Sequence, residues 1–168
     1  MPQPHVIDAL RVRFEELDKI GADPDGAVAR TRGNDFENLL LDLFQAHNLL
    51  LRRSFHTADN KREQIDGAVH IDGRVALIEA KWTSESVAAS ELYAFLGKVE
   101  GKFIGTIGVF VSRTPLSTNF VGALRAGRRQ SVIVIHGDDV PSLFRSDFAL
   151  SSYLRDCIHH LSIDNEPH

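Results

Sequence analysis

An aspartate, a glutamate and a lysine stand near the far ends of a segment that is otherwise typical of two buried β-strands joined by a turn, QIDGAVHIDGRVALIEAKW at residues 64–82. They are Asp66, Glu79 and Lys81, and a carboxylate buried without a partner is strongly disfavoured. Two carboxylates beside an ammonium can serve a hard divalent ion such as Mg²⁺. This ion usually takes one or two protein carboxylates and keeps water and phosphate oxygens in its other positions.

A tight hairpin is predicted to bring these residues together. Asp72-Gly73 between two apolar segments is the strongest short-range signal for a two-residue type I′ turn. Counting outward from the turn predicts three pairs at the far end: Ile65–Ala80 on an apolar face, and Asp66–Glu79 and Gln64–Lys81 on the other face. Like charges placed directly opposite each other are destabilising, and a cation between them would remove the repulsion.

The same three charges have a second interpretation as an ordinary ion pair at a solvated strand end. The apolar run VALI directly before Glu79 argues against it, because a strand that is apolar on both faces is central in its sheet. A central strand seldom ends in charged residues without a role.

Hydrophobic periodicity predicts the elements around the hairpin. The pattern indicates helices over residues 5–20, from Asn34 or Asp35 onward, over 87–102 and 117–127, and closing helices over 138–161; strands are indicated at LLLRRSF, TIGVFVS and SVIVIHG. The expected fold is α/β, a mixed central sheet flanked by helices, in a single domain over residues 1–168. The sheet cannot be all parallel, because the hairpin turn is tight.

Composition and charge set limits on the class of protein. The 168 residues are 43% hydrophobic and 25% charged, as in an ordinary folded domain. No apolar run has the length of a membrane span and no signal peptide is evident, so a cytoplasmic location is expected. The net charge of −4 gives no global sign of nucleic-acid binding. The lone Cys157 and the eight histidines lack zinc-ligand spacing.

With these residues in view, the chain resembles the PD-(D/E)XK nuclease superfamily. Ile65-Asp66-Gly67 followed by Glu79-Ala80-Lys81 looks like its D…ExK signature on a hairpin, and GNDFENLLLDLF is similar to the G-x-x-F-E helix of Mrr-type restriction endonucleases. The resemblance covers about residues 33–136 and implies a restriction-endonuclease-like α-β-β-β-α-β core. Ile65 stands where the family frequently has proline. The chain has no room for the separate DNA-recognition domain of many members, so the target sequence stays open.

The resemblance also implies roles for individual residues. Asp66, Glu79 and the Ala80 carbonyl would bind Mg²⁺, for which Mn²⁺ could substitute, and Lys81 would orient or help deprotonate the attacking water and stabilise charge at phosphorus. Glu37 would be an auxiliary ligand, or else a capping or solvent-facing residue. The candidate nucleic-acid contacts are Gln64, Arg52, Arg53, Ser112, Arg113, Arg125, Arg128 and Arg129; Gln64 could instead be a plain strand-edge amide, and the arginines solvated loop or helix ends. Trp82 would pack at the core or stack on substrate.

The function that these roles imply is a metal-dependent endonuclease acting on DNA, of restriction, defence or repair type. It would act as a homodimer joined through its N- or C-terminal helices, since a small domain cuts both strands most simply as a pair, and could use a separate specificity subunit. A noncatalytic module that binds nucleic acid or protein on the same fold is the alternative from another class. A junction resolvase or an RNA-directed relative would differ only in substrate.

Overall fold

A computed structural model of the chain describes residues 2–20, 26–58, 63–126 and 131–164. The described helices are α1 (Pro4–Asp18), α2 (Ala27–Ala46), α3 (Ala89–Glu100), α4 (Thr118–Arg125), α5 (Asp139–Ser142) and α6 (Leu150–Ile163). The strands are β1 (Leu50–His56), β2 (Gln64–Ile71), β3 (Arg74–Lys81), β4 (Ile107–Ser112) and β5 (Val132–His136). None of the helices in these ranges is long and apolar enough to cross a membrane.

The five strands form one mixed sheet in the order β1-β2-β3-β4-β5. The first three strands are antiparallel neighbours, whereas β3, β4 and β5 run parallel to one another. Every residue of β4 is buried, as expected for a strand covered by helices on both faces. The α/β architecture with a mixed sheet is therefore confirmed, and β3 lies at its centre.

Two apolar clusters cover the two faces of the sheet. The larger one packs helices α1, α2, α5 and α6 on one face, and the smaller one packs α3 and α4 on the other. Ala76 and Ile78 of β3 belong to the larger cluster and Leu77 to the smaller, which is the alternation of a strand buried on both sides. Because both faces are covered, a charged residue on β3 reaches solvent only at the end of the strand.

The hairpin between β2 and β3 follows the predicted register near its turn. Asp72 and Gly73 have φ values of 50° and 81°, the left-handed pair that a type I′ turn requires. The confirmed pairs run from Ile71–Arg74 outward to Gly67–Ile78.

The predicted register is wrong beyond that last pair, because the β2–β3 ladder ends there. Ile65, which was expected beside Val69 on one face, packs in the smaller cluster, whereas Val69 packs in the larger one. Side-chain alternation along β2 is therefore interrupted between Ile65 and Val69. The Asp66 carboxylate does not lie in a regular β2–β3 pair opposite Glu79.

Helix α2 begins earlier than the sequence pattern indicated. Neither Asn34 nor Asp35 caps it: the helix begins at Ala27, after Gly26 at a φ of 77°. Its buried face continues through Ala29 and Arg32 before it reaches the predicted apolar stripe. Because arginine counts as polar, its burial on this face cannot be recognised from the hydrophobic periodicity of the sequence.

Candidate active site

The site is built at the carboxyl end of β3, where β2 reaches it with an aspartate. Asp66 Oδ2 accepts a hydrogen bond of 2.9 Å from the Ala80 backbone N–H. In a regular continuation of the ladder this N–H would face the backbone of Ile65. The side chain of Asp66 is thus fixed to the strand that carries Glu79 and Lys81.

Glu79 is buried and held by two lysines. Its side chain is 8% exposed; Lys81 Nζ lies 2.9 Å from Oε1, and Lys98 Nζ lies 2.9 Å from Oε2. Two charge-assisted contacts compensate the burial of this carboxylate. Lys98, on α3, was not predicted as a site residue. The one indication in the sequence is that it lies close to Phe95 and Val99, which are on the buried face of the same helix.

Lys81 bridges two carboxylates, because its Nζ also lies 3.0 Å from Glu91 Oε2 on α3. Burial opposes its charge, but the charge and hydrogen bond of Glu79, together with those of Glu91, outweigh burial and raise the pKa of Lys81 above its ordinary value. Lys81 is therefore an ammonium at neutral pH, with no lone pair to accept a proton.

Glu37 lies on α2, which covers the opposite face of the sheet from α3, and it lines the same cleft as Asp66 and Lys81. A cleft of about 480 Å³ is lined by Glu37, Asp66, Ala80 and Lys81. Burial, followed by the charges of Asp66 and Glu79, raises the pKa of Glu37 to about 7. Burial and the Glu79 charge likewise raise the pKa of Asp66 to about 6, against the opposing effect of the Ala80 hydrogen bond. Two carboxyl groups whose pKa values are raised by neighbouring carboxylates mark excess negative charge.

The oxygen atoms that line the cleft are of the kind that a hard divalent ion prefers as ligands. Glu37, Asp66 and the Ala80 carbonyl offer oxygen atoms in one cleft, and the accumulated negative charge is what such an ion relieves. The side chains are not drawn together as ligands, however. Within the described ranges no group of three or more His, Cys, Asp or Glu residues is arranged so that it could hold a metal ion. Both oxygens of Glu79 are directed to lysines.

Ser112, a predicted phosphate contact, ends β4 inside the fold. Its side chain is fully buried, and its hydroxyl donates to the Thr114 carbonyl at 2.7 Å. The neighbouring Arg113 is partly exposed and donates to Asp18 of α1, with Nε 3.1 Å from Oδ1. It lines a second cleft that shares Trp82, Thr83 and Ser84 with the cleft of Glu37. Arg113 is thus placed beside the site but engaged by a carboxylate.

The remaining described candidates, Gln64, Arg52 and Arg53, do not line the cleft of Glu37 and Asp66. Gln64 is exposed and pairs with His56 of β1, not with Lys81. Arg53 donates to Asp42 and Gln45, and the Arg52 guanidinium lies over the Phe55 ring at 4.6 Å. Arg125 ends α4, with nothing described of its side chain, and Arg128 and Arg129 lie outside the described residues.

Trp82 has a packing role. It is 8% exposed, and its ring centroid lies 5.2 Å from that of Phe36 and 5.7 Å from that of Phe14. The guanidinium of Arg32 covers its ring at 5.2 Å and donates to the Ile20 carbonyl at 3.0 Å. This cluster joins α1 and α2 to the end of β3, directly after Lys81, and it explains why Arg32 is buried.

Comparison with protein families supports the fold. The family model Mrr_cat, described as a restriction endonuclease, matches residues 28–144. The chain belongs to this family. The match spans α2 through α5 and so includes Glu37, Asp66, Glu79 and Lys81. The family assignment confirms the resemblance to restriction-endonuclease-like PD-(D/E)XK proteins.

Among solved structures, the chain is similar to one described as MspJI restriction endonuclease in complex with a 27-mer oligonucleotide. The two share 17% sequence identity with a TM-score of 0.47, over 94% of this chain and 35% of the other. The chain therefore spans about a third of the length of that protein. A search of curated proteins found no significant match.

Proposed function

We propose that this protein is a metal-dependent endonuclease that hydrolyses phosphodiester bonds in DNA. The observation that carries the proposal is the meeting of Asp66, Glu79 and Lys81 at the end of β3, beside a cleft that Glu37 also lines. Membership of a restriction endonuclease family supports the same activity. Restriction, defence and repair are all roles that this chemistry would serve.

Each residue has a distinct role in this proposal. Glu37, Asp66 and the Ala80 carbonyl would hold Mg²⁺ or Mn²⁺, and Glu79 would join them on releasing one of its lysines. When bound, such an ion polarises a phosphate oxygen and lowers the pKa of its water. Lys81, as an ammonium, would donate a hydrogen bond to the attacking water or to a phosphate oxygen and stabilise the negative charge that develops there. Glu91 and Glu79 hold Lys81 in position for this role.

Titration of Mg²⁺ or Mn²⁺ into the purified protein with supercoiled plasmid tests the activity. The proposal expects nicked or linear plasmid that depends on the metal and disappears in Asp66→Ala. Asp147→Ala is the matched control, since Asp147 is an exposed aspartate paired only locally with Arg145. No cleavage with metal binding and fold intact would favour a missing partner or a special substrate. No metal binding would favour the noncatalytic binding module.

We also propose that the enzyme works as a homodimer, because a pair of chains with one site each would cut both strands of a duplex. The terminal helices carry exposed apolar side chains suited to such a contact, including Val12 on α1 and Ile163 on α6. Light scattering at micromolar concentration tests this, and a monomeric mass would contradict it. A separate specificity subunit would supply target recognition, and pull-down from the native source would identify it.

A further inference from the structure

Glu79 contacts a second lysine, Lys98, in addition to the Lys81 of the E-x-K sequence. Lys98 Nζ donates to Glu79 Oε2 at 2.9 Å from α3, on the face of the sheet opposite to α2. Its charge also lowers the pKa of Asp66 against the effect of burial, so it acts on both of the D…ExK carboxylates. An ammonium that offsets part of the negative charge on these carboxylates acts in the same electrostatic direction as a bound metal ion.

We propose that Lys98 is a built-in substitute for the metal ion, and that a divalent ion binds by displacing Lys98 from Glu79 Oε2. This inference rests on the proposed metal-dependent function and adds its regulation. It accounts for the finding that the described carboxylates are not gathered as metal ligands, because Glu79 is turned to its lysines. Lys98 thereby keeps the metal-free site folded and sets the affinity for the ion.

The two lysines differ in how firmly they are held. Lys81 contacts Glu79 and also Glu91, whereas the only ion pair that Lys98 makes within the described part of the chain is with Glu79. Releasing Lys98 therefore breaks one ion pair, and releasing Lys81 breaks two. The Lys98 side chain is 20% exposed, so its ammonium has a path to water when it leaves.

Lys102 provides a matched control for Lys98. It lies four residues later, just beyond the end of α3, with 23% of its side chain exposed, and it pairs with a different carboxylate, Glu63, at 3.6 Å. Lys98→Met and Lys102→Met remove the same charge from neighbouring positions. A difference between the two variants thus reports the contact with Glu79 and not the change in net charge.

Calorimetric titration of Mn²⁺ without DNA measures the expected effect. Lys98→Met should bind Mn²⁺ at least about tenfold more tightly than the unaltered protein, whereas Lys102→Met should change the affinity far less. An unchanged or weaker affinity in Lys98→Met, or an equal gain in both variants, would overturn the proposal. If the unaltered protein binds no Mn²⁺, metal dependence itself fails. If it binds Mn²⁺ and Lys98→Met binds equally well, only the role of Lys98 fails.

Thermal unfolding gives a second readout that does not depend on activity. In EDTA, Lys98→Met should melt at a lower temperature than the unaltered protein, because Glu79 loses one of its two cations. In saturating Mn²⁺ the difference should vanish or reverse, since the ion takes over from the lysine. An equal loss in both conditions would indicate a purely structural lysine and would overturn the proposal.

Discussion

Lys81 Nζ lies 2.9 Å from Glu79 Oε1, two residues earlier on the same strand. Side chains at this spacing project from the same face of a strand, so the contact follows directly from the E-x-K order. Glu91 holds the other side of the ammonium from α3 at 3.0 Å. The lysine is thereby fixed as a cation at the mouth of the cleft.

Replacement of Lys81 tests whether this cation is catalytic. Lys81→Ala should lower the rate of metal-dependent plasmid cleavage by about 10²- to 10⁴-fold, the range for removal of one group that stabilises charge or transfers a proton in the transition state. Single-turnover cleavage at saturating Mg²⁺ measures this rate. DNA binding and the far-UV circular dichroism spectrum should be retained, because Lys98 still compensates Glu79.

Lys102→Ala is the control for Lys81→Ala, since the two side chains are equally exposed and each is paired with glutamate. It should cleave at the rate of the unaltered protein. Full activity in Lys81→Ala would remove this lysine from the mechanism.

The central hairpin could be predicted because its information is local. The Asp72-Gly73 turn determines the pairs near it, and the E-x-K spacing places Lys81 beside Glu79. The approach of Lys98 could not be predicted, since it depends on how α3 is rotated against the sheet, which no local pattern encodes. The position of the Asp66 side chain could not be predicted either, because it accepts a hydrogen bond from the Ala80 N–H in place of a regular backbone pair.

Buried polar groups are the hardest to place from the sequence. Arg32 interrupts the apolar stripe of α2, so the predicted start of the helix was too late. This arginine is buried because its guanidinium packs over the Trp82 ring. Ser112 was expected to face a phosphate because it ends a strand near the site. It is instead covered completely, and its hydroxyl is satisfied by the Thr114 carbonyl. Partners of this kind become visible only in three dimensions.

Trp82 should be important for stability. Trp82→Ala removes a buried ring that packs on Phe14, Phe36 and Arg32, and it should lower the free energy of unfolding by about 3–5 kcal/mol. Urea unfolding followed by circular dichroism measures this change, since the variant lacks the only tryptophan. Phe103→Ala is the control: that ring is 84% exposed, and its loss should change the free energy by less than about 0.5 kcal/mol. Similar losses in the two variants would contradict the packing role of Trp82.

Asp42 should make the protein sensitive to acid. Burial opposes its ionisation, but hydrogen bonds from Arg13 of α1 and Arg53 of β1 outweigh burial and hold the pKa of Asp42 below its ordinary value. A carboxylate whose pKa is lower in the folded protein contributes stability that is present above its unfolded pKa. That stability is lost as the pH falls below the ordinary aspartate value of 3.8 and on through the lower folded value.

Asp42→Asn should therefore be less stable than the unaltered protein at pH 7 and should lose less stability on acidification. Urea unfolding at a series of pH values between neutrality and acid measures both effects. Asp147→Asn, at an exposed pair with Arg145, should follow the unaltered curve closely, because solvent screens that pair. Parallel acid curves for Asp42→Asn and the unaltered protein would show that Asp42 contributes nothing to the acid sensitivity.

Two glycines should respond in opposite directions to the same substitution. Gly108 lies on the buried strand β4, where an added Cβ would stand 2.6 Å from Phe95 Cε1 and 2.9 Å from Val132 Cγ2. Gly108→Ala should therefore lower the free energy of unfolding by about 1–3 kcal/mol through overpacking. Gly97, inside α3, has no atom within 4 Å of the same position, so Gly97→Ala should raise it by about 0.5–1 kcal/mol. Urea unfolding of the two variants compares them directly, and a Gly108→Ala variant as stable as the unaltered protein would contradict the close packing of α3 on β4.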